Sequence, residues 1–167
     1  NVTDLSKWLI MQMKNGKYGE GLTQKLFSEA VHDEMWSPQT IINTKVGGPY
    51  NTHFASYGLG WFLSDVKGMK QCTHTGGLVG IVTQITLIPE MKLGIIVLTN
   101  QQQGAAFTAV TNTIKDSYLS VKGIDRVKQM VDRVEKGNAD AKKITSEVWA
   151  KIEAQQNNSK EKVAIES

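Results

Sequence analysis

Four consecutive residues, His74, Thr75, Gly76 and Gly77, have types and a spacing that could do chemistry. They follow or end the stretch from Met69 to Thr75, which is predicted as the returning strand of a hairpin, so an imidazole, a hydroxyl and two unobstructed main-chain N–H groups would lie next to one another on an edge strand. Acyl transfer through a serine needs N–H donors aimed at the oxygen on which negative charge develops, and glycines on an edge strand can supply them. Without other motifs, a glycine turn between two ordinary strands would be the better interpretation.

Metal and phosphate chemistry are weaker interpretations of the same region. Cys72 and His74 share a face of the predicted strand, and His53 could join them, but three ligands without close spacing are a weak zinc pattern. The glycines from Gly76 to Gly80 lack the Lys-Ser/Thr ending of a phosphate-binding loop. We therefore expect neither a metal site nor a cofactor.

The strand that carries these residues belongs to a run of predicted β-structure. The predicted strands are residues 60–63, 69–75, 81–88 and 93–98. Gly76-Gly77 is expected to end the second of them. The last is apolar at almost every position, which indicates a strand covered on both faces. Helices are therefore expected on both sides of the sheet.

Helical patterns flank this run. Predicted helices run from Thr3 to Met13 and from Ser28 to Met35, and a third follows Gly104, with Phe107, Val110, Ile114 and Tyr118 toward the sheet. Glycines, a proline, and several Asn and Thr residues between Ile41 and Ser56 predict a loop.

Composition changes near Ser120, because every aromatic residue except Trp149 precedes it. We predict a folded domain over residues 1–120 and a charged helical extension over residues 121–167. Gly137-Asn138 is expected to separate two helices within the extension. The extension would lead toward a further domain; binding of a partner or a membrane surface is a weaker alternative to a solvated face.

The length and composition of the chain are consistent with one folded domain followed by an extension. The chain has 167 residues, and its 19 basic and 16 acidic residues are interspersed, so we expect no nucleic-acid partner. The single cysteine, Cys72, excludes an internal disulfide. No apolar run reaches the roughly 20 residues that span a bilayer, and no signal-peptide pattern is present. Since the chain starts at Asn1 without a methionine, we expect a mature or truncated product.

Several separated motifs agree in order and spacing. They are Asn1-Val-Thr-Asp-Leu5 with Lys7-Trp8, Met35 to Thr40, Tyr57-Gly-Leu-Gly-Trp61, His74-Thr-Gly-Gly-Leu-Val-Gly80, Ile88-Pro-Glu90 and Val97-Leu-Thr-Asn100. Together they resemble the C-terminal half of the serine β-lactamase-like hydrolases, which are related to class C β-lactamases, D-Ala-D-Ala carboxypeptidases and D-aminopeptidases. The resemblance covers residues 1 to 119. It implies an α/β (α+β) sandwich with an antiparallel sheet of about five strands and helices on both faces, of which this fragment would supply three strands.

The resemblance also implies roles for individual residues. His74 would keep the pocket electropositive or relay a proton, Thr75 would hydrogen-bond a substrate carboxylate, and Gly76 would let the substrate approach the strand. The N–H of Gly77 would be one of two oxyanion donors. Asn100 would contribute to substrate binding.

Two further motifs of that family are not found in this chain. The family takes its nucleophile and base from a Ser-x-x-Lys helix and assists proton transfer with a Tyr-x-Asn loop. Ser64-Asp65-Val66-Lys67 and Ser159-Lys160-Glu161-Lys162 have the first spacing, but one lies in a predicted hairpin and the other in a polar tail. No tyrosine is followed by the second spacing. We expect the missing N-terminal part of the domain, from the same or a second chain, to supply the nucleophile, and this chain alone to be inactive.

The resemblance narrows the substrate and the location. A histidine at position 74, where β-lactamases typically have lysine, favours a peptidase or esterase, as does Gln101-Gln102-Gln103-Gly104 in place of a proline and arginine pattern. The implied substrates are D-amino-acid peptides, esters or β-lactam-like amides, cleaved through an acyl-serine. The alternative is a penicillin-binding or cell-wall-sensing module without turnover. The implied location is the bacterial periplasm or the outside of the cell.

Overall fold

The computed structural model of the protein describes residues 1–158. Its helices are α1 (Val2–Met13), α2 (Glu29–Met35), α3 (Gly104–Tyr118) and α4 (Arg126–Asn158). Its strands are β1 (Lys17–Tyr18), β2 (Gln24–Lys25), β3 (Thr40–Ile42), β4 (Ala55–Tyr57), β5 (Phe62–Val66), β6 (Met69–Leu78), β7 (Ile81–Ile88) and β8 (Leu93–Thr99). The Ser-x-x-Lys spacing that begins at Ser159 lies outside the described residues.

A six-stranded antiparallel sheet organises the described chain, with its strands in the order β3-β4-β5-β6-β7-β8, and β1 and β2 form a separate antiparallel pair. α1 packs against one face of this sheet and α3 against the other. The predicted α/β fold, an antiparallel sheet with helices on both faces, is therefore confirmed. The predicted number of three strands is wrong, because six strands of the described chain join the sheet.

Side-chain alternation along β7 divides the core between the two faces. Leu87 lies in a cluster with Leu9 of α1, and the next residue, Ile88, lies in a cluster with Leu119 at the end of α3. The other buried members of the first cluster are Trp36, Trp61, Leu63 and Cys72, and those of the second are Val66, Leu93 and Ile95. Both faces of the central strands are thus covered by apolar side chains.

β6 continues through Gly76 and Gly77, where the sequence predicted a break. β7 pairs with both glycines, placing Thr83 opposite Gly76 and Val82 opposite Gly77. The chain reverses one step later, at Val79-Gly80, where Gly80 has a φ of 83° that glycine adopts readily. The partner strand therefore outweighs the weak strand propensity of two adjacent glycines.

The segment predicted as a loop between residues 41 and 56 contains parts of two strands. β3 and β4 are three residues each and pair with one another, and β4 also pairs with β5. Strands this short carry too few alternating positions to be recognised from the sequence. They extend the sheet on the side of β5.

α4 is one continuous helix, so the predicted break at Gly137-Asn138 is wrong. Glycine inside a helix costs only about 1 kcal/mol relative to alanine, which flanking residues can outweigh. Exposed pairs such as Lys136 with Asp140 lie one helical turn apart along this stretch. Within residues 1–158, no helix combines the length and apolar character needed to cross a membrane.

A buried ionic cluster attaches the start of α4 to the domain. Arg126 donates from Nε to Asp116 Oδ2 at 2.6 Å and from Nη2 to Asp116 Oδ1 at 2.9 Å. The Tyr50 hydroxyl donates to Asp116 Oδ1 at 2.8 Å. Lys115 Nζ lies 3.9 Å from the centre of the Tyr50 ring, and burial lowers the pKa of Lys115 to about 8. The loop that carries Tyr50, helix α3 and the start of α4 therefore contact one another through this buried cluster.

This cluster explains why α3 buries only part of the predicted face, of which Ile114 packs against the core. Val110 and Tyr118, which were expected to cover the sheet, are exposed, whereas Lys115 and Asp116 are buried. Charged residues are buried in proteins mainly when they have partners, and here Asp116 has both Tyr50 and Arg126. Partners so distant in sequence cannot be recognised from helical periodicity.

Cys72 should be almost unreactive in the folded protein. Its side chain is fully buried, and burial raises the pKa of the thiol to about 12. Alkylation requires an accessible thiolate. At pH 8 we expect iodoacetamide to modify the native protein on the order of 1000-fold more slowly than the urea-unfolded protein. Mass spectrometry over time measures both rates, and equal rates would mean that this part of the core opens readily.

Candidate active site

The second half of β6 has a free side. β5 pairs with β6 only as far as Thr73, which lies opposite Phe62, whereas β7 pairs with β6 as far as Leu78. From His74 to Leu78, hydrogen bonds to the sheet are therefore available from β7 alone. This stretch is a local edge, in agreement with the expectation from its glycines.

Two tight hairpins determine which main-chain groups face that free side. Residues that flank a two-residue turn form a hydrogen-bonded pair, and the pattern then alternates along the strand. Val66 and Met69 flank one such turn, so Met69 and every second residue after it point their N–H groups toward β5. Leu78 and Ile81 flank the other, so the N–H groups of even-numbered residues point toward β7. Both hairpins therefore direct the N–H groups of Thr75 and Gly77 to the free side.

His74 is held in a defined orientation by two hydrogen bonds. Nδ1 lies 2.6 Å from the carbonyl oxygen of Thr75, and Nε2 lies 2.9 Å from the hydroxyl of Tyr57. Because a carbonyl only accepts, Nδ1 carries a proton, and in the neutral ring Nε2 then accepts from Tyr57. Both contacts are satisfied without a positive charge on His74.

A pocket of about 530 Å³ opens beside this strand. It is lined by Asn1, Asp4, Leu5 and Trp8 of the α1 segment and by His74, Thr75, Thr83, Ile85 and Leu98 of the sheet. The wall is mainly apolar, and its polar residues are Asn1, Asp4, His74, Thr75 and Thr83. The N-terminal helix thus provides the wall that faces the predicted motif.

The structure brings four of the five predicted site residues together. His74 and Thr75 line the pocket, and Gly76 and Gly77 continue the same strand. A Cβ on Gly76 would lie 2.9 Å from Thr83 Oγ1, so a side chain there would need Thr83 to move. Asn100 follows the end of β8 and is exposed, two strand spacings or about 10 Å from Gly77, and it does not line the pocket. Its role in substrate binding stays a prediction.

Sequence reasoning missed two residues that shape the site. Tyr57 was quoted only as the start of a motif, yet its hydroxyl is the partner of His74. Gln102 accepts from the N–H of Gly80 at 2.6 Å and so fixes the tip of the β6–β7 hairpin. The polar run after Asn100 was a signal for Gln102, but nothing in the local sequence indicates which turn it would contact.

The remaining candidate side chains have other partners. Ser64 Oγ accepts from Gln71, and Lys67 Nζ donates to the carbonyl of Leu119, so this Ser-x-x-Lys does not form a nucleophile and base pair. His53 lies against Asp65 rather than Cys72. Within residues 1–158, no group of three or more acidic, histidine or cysteine side chains converges on a metal position.

A larger pocket, about 880 Å³, lies away from this site. Its wall contains Ile41, Ile42, Phe54, Leu63 and Lys70 among other residues, and it contains none of the predicted site residues. Its wall also carries His53, Asp65, Lys70 and Glu90, but Asp65 accepts from the main-chain N–H groups of His53 and Phe54, and Glu90 accepts from the N–H of Lys70. We therefore place the candidate active site at His74, where donors and titratable groups converge.

Comparison with known proteins supports the same region. Residues 1–119 match the family profile described as Beta-lactamase. An unguisins hydrolase of Aspergillus campestris is 27% identical over 123 residues, covering 72% of this chain and 21% of that protein. An unguisins hydrolase of Aspergillus violaceofuscus is 29% identical over 101 residues, covering 59% and 18% respectively. This chain therefore spans about a fifth of the length of these curated relatives.

One solved structure is also similar, the octameric penicillin-binding protein homologue from Pyrococcus abyssi. It matches with 24% sequence identity and a TM-score of 0.49, over 61% of this chain and 20% of that chain.

Proposed function

The chain belongs to the Beta-lactamase family, and on that basis we propose that it forms one wall of the active site of a serine acyl hydrolase. Hydrolases are among its relatives. The observation that carries the proposal is the free N–H of Gly77 on a local strand edge, beside a pocket that contains His74 and Thr75. The serine nucleophile comes from a part of the protein outside this chain.

The proposed reaction places negative charge next to β6. The serine oxygen attacks the carbonyl carbon of the substrate, and the carbonyl oxygen becomes an oxyanion that accepts a hydrogen bond from the N–H of Gly77. The leaving amine or alcohol departs with a proton, and the acyl group stays on the serine. Water then attacks the acyl-serine, which releases the acid and restores the serine.

We propose that His74 relays a proton or orients the strand, rather than supplying a fixed positive charge. Its neutral tautomer already satisfies Tyr57 and the carbonyl of Thr75. The bond to that carbonyl holds the Thr75–Gly76 peptide, which directly precedes the peptide of the proposed oxyanion donor. Thr75, which lines the pocket at the free edge of β6, is proposed to bind the carboxylate of the substrate.

Labelling of the intact protein tests the proposal. A fluorescent fluorophosphonate should phosphonylate one serine with loss of fluoride, and peptide mass spectrometry should locate that serine outside residues 1–167. This chain expressed alone should remain unlabelled. Stable labelling by a fluorescent penicillin without hydrolysis of p-nitrophenyl esters would favour the binding-module alternative, and failure of both reagents would contradict an acyl-serine.

Substrate class and location are also proposals. D-amino-acid peptides and esters are favoured over β-lactams because of His74, and the bacterial periplasm or secretion is proposed from the family resemblance alone.

A further inference from the structure

The second half of α4 extends away from the domain without a packing partner among the described residues. Met130, near the start of α4, is buried and lines a pocket between α4 and α3. From residue 135 to residue 157, every residue is exposed except Ile152, which is half-buried. This stretch of helix is about 35 Å long. Because helices in water are stabilised mostly by packing of an apolar face, so long a stretch calls for a partner.

The sequence of α4 follows a seven-residue repeat. Two positions of the repeat are mostly apolar, and they are called d and a in the usual heptad notation. Position d is occupied by Val127, Val134, Ala141 and Val148, and position a by Val131, Asn138, Thr145 and Ile152. We call these side chains the heptad stripe. The stripe continues for nearly four heptads, a length that indicates a coiled coil.

The heptad stripe is accessible on the described protein. Val127, Val131 and Val148 expose 62%, 47% and 48% of their surface. Ile144 and Trp149, which flank the stripe in its second half, are 61% and 60% exposed. The contact of α4 with α3 is centred on the neighbouring face that carries Met130. The stripe is therefore open to a second helix that lies beside α3.

Asn138 favours a second copy of this chain as that helix. Two parallel copies in register place each residue of the stripe opposite its own equivalent, so the two Asn138 amides can hydrogen-bond to each other. An antiparallel pair over the same stripe places Asn138 opposite Ala141, which offers the amide no side-chain partner. Since a buried amide needs a partner, the parallel pair satisfies the polar position and the antiparallel pair does not.

The residues that flank the stripe are compatible with this parallel register. The residue before position a in one copy lies near the residue after position d, five positions later, in the other copy. From residue 137 onward, these pairs are Gly137 with Lys142, Ile144 with Trp149, and Lys151 with Gln156. No pair has like charges. The pair of Ile144 with Trp149 buries two large apolar side chains that are exposed in a single copy.

We propose that α4 mediates dimerisation of this protein through a parallel, in-register coiled coil along the heptad stripe. The partner is a second copy of the chain. Both sheet domains then lie at the same end of the coiled coil, because each is attached at the start of its own α4. This interface is independent of the hydrolase chemistry proposed above.

Sedimentation of the intact protein tests the interface, and we expect a dimer at micromolar concentrations. Val148→Glu places an unpaired charge in the interface from each copy and should raise the dissociation constant at least about 100-fold. Ala150→Glu, on the far side of the helix, is the matched control and should change the dissociation constant less than about threefold. Because Val148 is half-exposed in a single copy, the fold of each subunit should be unaffected, which circular dichroism measures.

Disulfide formation tests the parallel register. Ile152→Cys should cross-link to its equivalent in the second copy at least about tenfold faster than Ala150→Cys, because only the first brings two sulfur atoms within bonding reach. The native Cys72 is buried and does not compete. Non-reducing electrophoresis over time measures both rates.

Four outcomes would overturn the proposal. Equal cross-linking rates would exclude the parallel register, and a monomer at these concentrations would exclude the second copy. A monomer whose melting temperature falls with Val148→Glu would mean that another part of the same protein covers the stripe. A dimer that Val148→Glu leaves intact would mean that the two copies meet through a different surface.

Discussion

Replacing Gly77 with proline should lower kcat of the intact enzyme by roughly 100- to 1000-fold, the usual cost of losing one oxyanion donor. Proline removes the main-chain N–H, and at this position that N–H faces the free side of β6. No sheet hydrogen bond is lost, and proline is tolerated where a strand faces outward. The substitution therefore deletes the proposed donor while preserving the fold.

Gly77→Ala is the matched control, since it keeps the N–H. A Cβ there would meet its nearest atoms at 3.7 and 3.8 Å, which is ordinary contact. We expect a loss of less than about tenfold, well below the loss expected for proline. Steady-state kinetics with p-nitrophenyl esters and far-UV circular dichroism measure activity and folding. Equal activity of the proline and alanine variants would remove Gly77 from the mechanism.

Replacing Arg126 with methionine should lower the free energy of unfolding by about 3 kcal/mol or more. The substitution leaves the carboxylate of Asp116 buried without its guanidinium, and breaking a buried pair typically costs about 3–5 kcal/mol. Lys128→Met breaks an exposed pair with Asp132 on the same helix and should cost less than about 0.5 kcal/mol. Urea denaturation compares the two variants, and similar midpoints would contradict a stabilising role for the buried cluster.

The stability difference between the unsubstituted protein and Arg126→Met should depend on pH. Burial tends to raise the pKa of Asp116, but hydrogen bonds from Arg126 and Tyr50 outweigh it and hold the pKa below its ordinary value of 3.8. A folded-state pKa below the unfolded one gives stability that is present above pH 4 and lost as the pH falls through the folded pKa. The difference should therefore be constant near neutrality and shrink in acid.

The local part of the site could be predicted from sequence, and the long-range part could not. The hairpin pattern before His74 and Thr75 and the glycines after them indicated a strand with accessible N–H groups. The contact between Tyr57 and His74 joins residues 17 positions apart. That contact depends on how β4, β5 and β6 pair, which no local pattern specifies.

The errors in the predicted fold have the same origin. Gly76 and Gly77 are weak strand formers, but pairing with β7 keeps them in β6. Gly137 is a weak helix former, but its neighbours along α4 sustain the helix. In each case interactions with the surrounding structure outweighed the preference of a single residue.

The cluster around Asp116 shows that the residues that match the family are fewer than the residues that a stable fold requires. The family match stops at residue 119, whereas the guanidinium that neutralises Asp116 belongs to Arg126 at the start of α4. A protein shortened to the matched region would retain every residue of the candidate site yet bury an anion without its counterion. The first turn of α4 therefore belongs with the sheet domain as an electrostatic component, although it lies beyond the residues that match the family.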